Sequence, residues 1–243
     1  MMRFTVTDSR NCEETMFSIE MAQVSETTKP IFALREVTVA DQAGLDLTTK
    51  LHMDLLGFGP MAMFGDQVIR ETIYEVGLAD DLIKVVIAEV DGKPAGFIAY
   101  TAHAHAFHNA LIGNHFFKAV RVMLTSLLTR PGRVRYLPRA FQVISSRNEL
   151  ARNVQDNIDS EVLCFGVYPE YLTPAFVRET RLRIGVLLLE HAFEDLRRSG
   201  FKNTRMIVDG DNPRALLFYQ SLGAELTACH FGGISSFIVR FDL

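Results

Sequence analysis

The chain has 243 residues, 48% of them hydrophobic, which is enough to bury one sizeable core, as one large domain or as a domain with an insertion. Its formal net charge of -4 argues neither for nor against a nucleic-acid partner, and none is expected. The three cysteines, Cys12, Cys164 and Cys229, are too few for a disulfide framework and fit a reducing cytoplasm.

The N-terminal residues do not resemble a signal peptide. Residues 1–30 are polar and without period, which predicts a loosely held flexible tail, and no apolar run there is long enough for a signal peptide. Residues 95–117 lack Asp, Glu, Lys and Arg, but four histidines and two asparagines within the stretch argue against a membrane span. We therefore expect a cytoplasmic protein without a transmembrane segment.

Residues 31–101 predict a strand, two helices and a hairpin. Residues 31–37 form an apolar strand, Asp41 is a candidate helix cap, and apolar positions from 45 to 55 and from 64 to 76 recur at helical spacing. Residues 57–60, with two glycines and a proline, end the first helix. Residues 83–90 and 95–100 then read as strands, joined by Asp91-Gly92, a pair that suits a tight turn.

Residues 102–159 read as a helical insertion. Apolar residues between 115 and 128 recur at helical spacing, and Pro131-Gly132 ends that helix. Between 114 and 152 there are eight basic residues and one acid, Glu149; the basic ones are Lys118, Arg121, Arg130, Arg133, Arg135, Arg139, Arg147 and Arg152. Either this is a solvated helical face, or it is a cap over the acceptor side that attracts an anionic acceptor, an acidic carrier protein or a membrane surface.

Three histidines precede this helix. If the strand continued past residue 101, its alternation would put His103 and His105 on one face. His103, His105 and His108 lack a further Cys or Asp close by in sequence, so no metal is expected. A role for one of them in facing the substrate or as a base stays open.

The last third has the clearest order. Residues 161–167 read as a strand, 184–199 as a helix, 203–209 as a strand, and 212–223 as a short helix with Asn212-Pro213 as its start and Gly223 as its stop. Thr173-Pro174 is a second helix start, so either the long helix begins early or a separate short helix precedes it.

The motifs in this third, FGVYPEY (165–171), IGVLLLEHA (184–192) and RRSGFKNTRMIVDGDNPRALLFYQSLGA (197–224), resemble the GNAT acyl-CoA N-acyltransferase superfamily. The hairpin VIAEVDGKPAGFIAY (86–100) is a second point of resemblance, whereas residues 102–159 have none. The resemblance implies an α/β domain over residues 31–243. It has a mixed, twisted sheet of about seven strands, helices on both faces, and the insertion between strands 3 and 4.

The resemblance also implies an acetyl-CoA site. The strand at Phe165, Gly166 and Val167 would pair with the pantetheine arm, and the turn at Arg183, Ile184, Gly185 and Val186 would hold the pyrophosphate. Gly185 matches the last position of the family's phosphate loop, but Thr180 and Arg183 replace two others. Arg178, Arg181 and Arg183 are expected to compensate by binding the phosphates through their guanidinium groups. Alternatively, these arginines are only exposed charges on a helix. Further cofactor contacts are expected from Asn212, Ala215 and Phe218.

Two catalytic residues follow from the resemblance. Tyr219 would protonate the departing thiolate, since a phenol has a pKa near ~10, and Glu161 would take the proton of the amine. Alternatively, Tyr219 is a core aromatic and Glu161 an exposed charge at the strand end. Cys164 is not expected to be a nucleophile.

We therefore expect direct transfer of an acetyl or other acyl group from acyl-CoA to a small-molecule amine. Two alternatives are a larger donor such as acyl carrier protein, docked on the basic insertion, and a fold that has lost catalysis and serves as a binding module. A homodimer is left open.

Overall fold

The computed structural model describes residues 29–59, 61–140, 142, 158–231 and 234–243. The described strands form one sheet of seven in the order β1-β2-β3-β4-β5-β7-β6. The β4–β5 pair is parallel and the other neighbours are antiparallel, so the sheet is mixed, as predicted. The strands are β1 (Phe32–Val37), β2 (Lys84–Val90), β3 (Lys93–Thr101), β4 (Glu161–Val167), β5 (Asn203–Asp209), β6 (Glu225–Phe231) and β7 (Ile234–Asp242).

Helices cover both faces of this sheet. They are α1 (Gln42–Leu56), α2 (Asp66–Val68), α3 (Glu75–Ala79), α4 (Ala104–Ile112), α5 (Phe116–Thr129), α6 (Pro174–Thr180), α7 (Ile184–Arg198) and α8 (Pro213–Ser221). A π-helical segment, Ile69–Tyr74, joins α2 to α3, and short 3-10 turns lie at Ala62–Phe64, Pro131–Tyr136 and Pro169–Leu172. The pattern predicted over residues 64–76 is therefore helical but not one regular α-helix.

The helix cap and the hairpin turn predicted for the first half of the chain are present. The Asp41 side chain caps α1 by accepting a hydrogen bond from the Gly44 backbone N–H at 2.8 Å. Asp91 and Gly92 both have positive φ, 50° and 71°, which gives the β2–β3 hairpin a turn whose twist matches its strands. Glycine adopts this conformation without a steric penalty, and aspartate tolerates it.

Two hydrophobic clusters lie on opposite faces of the sheet. The first packs α7 and α8 onto the strands through residues such as Leu188, Leu216 and Tyr219. The second packs α1 and the π-helical segment through residues such as Leu51 and Tyr74. Alternate side chains of the central strands enter opposite clusters, so the sheet is buried on both sides.

Residues 102–140 of the predicted insertion are helical where they are described. The helix predicted over 115–128 is α5, and it packs on α2 through a small cluster of Phe64, Val68, Val122 and Ala140. The expected strand continuation at His103 is wrong: His103 is the N-cap of α4 and His105 lies within that helix, so they do not alternate. Arg147, Glu149 and Arg152 lie outside the described residues, as does nearly all of the predicted tail.

The structure also bears on the apolar stretch at residues 95–117. It belongs to β3, α4 and the start of α5, not to one continuous helix. Among the described residues, no helix has both the length and the apolar character that crossing a membrane requires.

Candidate active site

The parallel strands β4 and β5 separate almost as soon as they meet. Within the described residues, their ladder has one register pair, Glu161 with Arg205, supported by a hydrogen bond from the Arg205 backbone N–H to the Ser160 carbonyl at 3.2 Å. From Val162 onward, the edge of β4 that faces β5 has no strand partner there. Unpaired backbone groups at a strand edge are ready to bind an extended ligand.

A bulge in β4 accompanies this separation. Ala99 of β3 is opposite Cys164, and Tyr100 is opposite Val162, so Leu163 is the extra residue. Bulges bend a strand and re-aim its side chains, and they are common beside active sites. Here Leu163 and Cys164 both enter the cluster under α1, while Phe165 turns to the face of α7 and α8.

A cleft of about 620 Å³ fills the gap between the separated strands. Its volume is within the range of small-molecule sites. Its walls come from β4, β5, α8 and the end of α1, so it is lined from both faces of the sheet. The lining residues are Leu56, Phe58, Met63, Arg139, Val162, Leu163, Cys164, Phe165, Met206, Ile207, Val208, Asp209, Asp211, Asn212, Ala215, Tyr219 and Ile234.

Helix α8 places Tyr219 in the cleft wall. Asn212 caps the helix by accepting a hydrogen bond from the Ala215 N–H at 3.2 Å, and Pro213 occupies the first turn, which fixes the phase of the helix. Tyr219 is 5% exposed, and burial raises the pKa of its phenol well above the usual range. No described residue forms a hydrogen bond with its hydroxyl.

Aromatic packing connects this helix to β4. The Phe218 ring stacks on Phe165, with 6.2 Å between centroids and 6° between planes, and Phe165 also lies 6.3 Å from the Tyr219 ring. Four of the residues predicted from the sequence, Phe165, Asn212, Ala215 and Tyr219, therefore line one cleft. Phe218 lies directly behind them.

The N-terminus of α7 lies at the end of the same wall. Gly185 is buried in the first turn, and a Cβ there would come 3.3 Å from Cζ of Phe165 and 3.4 Å from Cζ of Phe218. A Cβ at this position would require Phe165 to shift by a few tenths of an ångström, whereas glycine fits the close approach of the helix as it stands. Buried Ile184 and half-buried Val186 flank Gly185, and Val167 packs close by. Gly166 lies on the opposite face, against Leu55.

The loop that the resemblance assigns to phosphate binding contains a separate short helix, the second of the two options that the sequence left open. Thr173 caps α6 by accepting a hydrogen bond from the Phe176 N–H at 3.2 Å, and the helix ends at Arg181, whose φ is 63°. Arg178, Arg181 and Arg183 are exposed. Nε of Arg178 donates to the Pro174 carbonyl at 3.2 Å, and none of the three forms an ion pair with a described residue, so each has guanidinium N–H groups available to an anion.

Glu161 is buried rather than exposed at a strand end, contrary to the simpler interpretation of the sequence. It is 2% exposed, and its Oε2 lies 3.3 Å from Nε of the buried Arg205 and 3.9 Å from Nε2 of His108. Glu161 is not among the residues that line the cleft. It closes the point where β4 and β5 meet.

Cys164 contacts a polar side chain that the sequence did not predict. Its thiol interacts with the buried Tyr74 hydroxyl, which is 2.7 Å from Nδ1 of His52. Burial lowers the pKa of His52 to about 4, which makes its ring a weak base at neutral pH. His52 therefore bonds the Tyr74 hydroxyl as a weak base, and the expectation that Cys164 is not a nucleophile stays a prediction.

Three charged residues of the cleft were not among the predicted site residues. Asp209 ends β5, Asp211 follows it, and Arg139 reaches the cleft from the basic insertion. Both aspartates lie within the motif of residues 197–224. Their position between the end of a predicted strand and the start of a predicted helix could have marked them as site residues. Other basic residues of the insertion pair with acids on the neighbouring helices: Lys118 with Glu75 at 3.1 Å, and Arg121 with Glu71 at 3.7 Å.

The three histidines are dispersed. Nδ1 of His103 is 3.3 Å from Oδ2 of Asp159, His108 lies beside Glu161, and His105 is exposed. Among the described residues, no three side chains of His, Cys, Asp or Glu are grouped as metal ligands.

Comparison with known proteins identifies the fold. No family model matches the sequence, and no match to a curated protein is found. A GNAT-family structure from Desulfovibrio desulfuricans superposes with a TM-score of 0.52 at 13% identity, covering 87% of this chain and 99% of that chain. The chain has the GNAT acetyltransferase fold. A protein from Pyrococcus horikoshii OT3 shows a similar likeness, with a TM-score of 0.52, 14% identity, and coverage of 88% and 99%.

At these identities the likeness concerns the GNAT fold and not the chemistry. It confirms the resemblance drawn from the motifs of the last third and the predicted α/β class with its seven-stranded mixed sheet. What the site does has to be argued from its own residues.

Proposed function

We propose that the protein transfers an acetyl or other acyl group from acyl-CoA to an amine. The observation that carries the proposal is the cleft between β4 and β5, which has an unpaired strand edge on one wall and the buried Tyr219 hydroxyl on another. An extended pantetheine arm would add to the free edge of β4 as a strand does, through backbone hydrogen bonds. That arrangement holds the thioester beside a proton donor.

The anionic end of the donor would lie at the start of α7. The first turn of a helix presents unpaired N–H groups and the positive end of its dipole, both of which favour phosphate. Arg178, Arg181 and Arg183 add three exposed cations next to that turn. They compensate for the loop residues that differ from the family pattern.

The chemistry assigned to the cleft is direct attack. The acceptor nitrogen attacks the thioester carbon, and a backbone N–H on the free edge of β4 stabilises the developing oxyanion. The C–N bond forms, the C–S bond breaks, and the Tyr219 hydroxyl gives its proton to the sulfur, while the proton that the nitrogen loses restores the Tyr219 hydroxyl. The phenol is protonated at physiological pH and so has a proton to give, while burial raises its pKa and makes it a weaker acid than an exposed tyrosine.

The proposal is tested by calorimetry with acetyl-CoA, followed by assays of CoA release with a panel of primary amines. Binding in the micromolar to millimolar range and amine-dependent release of CoA are expected. Absence of both at millimolar acetyl-CoA contradicts the proposal. Binding without release from any amine favours the loss of catalysis.

A carrier-protein donor is the second candidate, because the insertion exposes an apolar and basic surface. On α5, Phe117 and Leu128 are 83% and 82% exposed, and the Arg121 side chain between them is 74% exposed. Acyl carrier proteins would meet this surface with acidic side chains. Replacing acetyl-CoA by acyl carrier protein in the same assay separates the two donors, since only the protein donor should lose activity in the Arg121→Glu variant.

A further inference from the structure

The carboxylates of Asp209 and Asp211 lie in the wall of the cleft, at the end of β5 where the strands are apart. Asp209 is half-buried, and neither a hydrogen bond nor an ion pair to its side chain is present among the described residues. The charged groups that act on it are Asp211 and, more weakly, Arg139 of the insertion. Tyr219 also lines this cleft and is almost wholly buried. Among the described residues, none forms a hydrogen bond with its hydroxyl.

The loop around Asp209 does not depend on its side chain. The Asn212 N–H donates to the Asp209 backbone carbonyl at 3.1 Å, and the Gly210 N–H donates to the Ser235 carbonyl at 2.8 Å. These backbone bonds hold the turn from β5 into α8. A carboxylate that has no part in holding its own loop, yet lines a cleft, is available to a ligand.

Glu161, the base expected from the sequence, is less suited to the task. Its carboxylate faces a buried guanidinium at the point where β4 and β5 meet, and it does not line the cleft. Burial first, and Asp211 second, raise the pKa of Asp209, which strengthens that carboxylate as a proton acceptor.

We propose that the acceptor enters as a cationic amine held by Asp209 and Asp211, and that Asp209 takes its proton. This inference rests on the proposed acyl transfer. The ammonium gives one proton to Asp209, and the neutral nitrogen then attacks the thioester carbon. As the C–S bond breaks, Tyr219 protonates the thiolate and regains a proton from the nitrogen of the intermediate. The products are the amide, CoA thiol and one proton, which Asp209 returns to solvent.

The test compares Asp209→Asn with wild type, with Glu190→Gln as a matched carboxylate-to-amide control on the exposed side of α7. In the assay with acetyl-CoA and a primary alkylamine, Asp209→Asn should lower kcat/KM by ~10²–10⁴-fold. Its affinity for acetyl-CoA should stay within about two-fold of wild type. The deficit should shrink as the pH rises toward the pKa of the amine, and with an aniline acceptor, which is already neutral.

The outcomes separate this inference from the proposed function. If wild type neither binds acetyl-CoA nor acylates any amine, the proposed function itself fails. If wild type is active and Asp209→Asn acylates alkylamines at the wild-type rate over the whole pH range, only the assignment of Asp209 is overturned. An equal deficit with alkylamine and aniline would also overturn it, because a neutral acceptor has no ammonium proton to lose.

Discussion

Glu161 and Arg205 are opposite each other in the β4–β5 ladder, and their side chains also meet, with Oε2 and Nε 3.3 Å apart. Both side chains are almost fully buried. Strand pairing and ion pairing therefore coincide at the point from which the two strands separate. The pair closes the cleft from behind and holds its two walls together.

Removing one partner of this pair should destabilise the fold more than removing both. Arg205→Met takes the guanidinium away from the buried Glu161 carboxylate and is expected to lower the free energy of unfolding by ~3–5 kcal/mol. The double variant Glu161→Gln, Arg205→Met should recover part of that loss, since no uncompensated charge is left. Urea denaturation of the single and double variants measures both quantities. A loss below about 0.5 kcal/mol in Arg205→Met, the size of an ordinary surface change, would contradict the buried-pair account.

The Tyr219→Phe variant tests the proton donor. The ring packs against Phe165, Phe218 and Phe241, and Phe keeps that packing. We expect the melting temperature and the affinity for acetyl-CoA to be retained, while kcat falls by ~10²–10⁴-fold. Steady-state kinetics and calorimetry on the same preparation provide the comparison. If acylation of the best acceptor runs at the wild-type rate at every pH, Tyr219 is only a core aromatic.

Arg183 is the sharpest test of the altered phosphate loop. It is the exposed N-cap of α7 and its side chain makes no capping hydrogen bond, so Arg183→Ala should cost little stability. A charge-assisted bond to phosphate contributes ~1.5–3 kcal/mol, which predicts roughly ten-fold to hundred-fold weaker binding of CoA by calorimetry.

The matched control for that variant is Arg198→Ala at the other end of the same helix. Arg198 pairs with Glu194 at 3.1 Å on the surface, and such pairs contribute little. The affinity of the Arg198→Ala variant for CoA should equal that of wild type. Equal affinities in both variants would place the pyrophosphate away from the α7 N-terminus.

The sequence predicted the framework of the fold because its signals are local. The Asp91-Gly92 turn, the Asp41 cap and the Asn212-Pro213 helix start each depend on residues within a few positions of one another. The motif that joins β5 to α8 fixes the phase of the helix, since one well-fixed helix start determines every later position of a short helix, and Tyr219 lies in the cleft wall.

What the sequence did not predict depends on contacts between distant residues. The Glu161–Arg205 pair spans 44 positions, and the His52–Tyr74 contact spans 22. The start of α4 at His103 was missed because apolar alternation from β3 runs on past residue 101 without a Gly or Pro. Arg139 and Asp209 belong to separate elements, and only the folded sheet brings them to one cleft.

His52 should make the stability of the protein depend on pH in the acid range. The ring is 6% exposed, its Nδ1 is bound to the Tyr74 hydroxyl, and Tyr74 in turn contacts Cys164, so no described anion faces it. Burial lowers the pKa of His52 from 6.5 to about 4. Below pH 6.5, His52 is therefore protonated in the unfolded chain, whereas in the folded protein it is protonated only below about pH 4.

The stability that His52 contributes is thus complete above pH 6.5 and is lost as the pH falls from 6.5 to about 4. At ~1.4 kcal/mol for each pKa unit, the free energy of unfolding falls by up to about 3 kcal/mol over this range. His52→Asn removes the titrating group and keeps an acceptor for the Tyr74 hydroxyl. We expect its free energy of unfolding, from urea titrations between pH 7 and pH 4, to fall less steeply than that of wild type. His191→Asn, which removes an exposed histidine of α7, is the control and should keep the wild-type slope. Parallel slopes in all three proteins would mean that His52 takes up its proton as readily in the folded protein as in the unfolded chain.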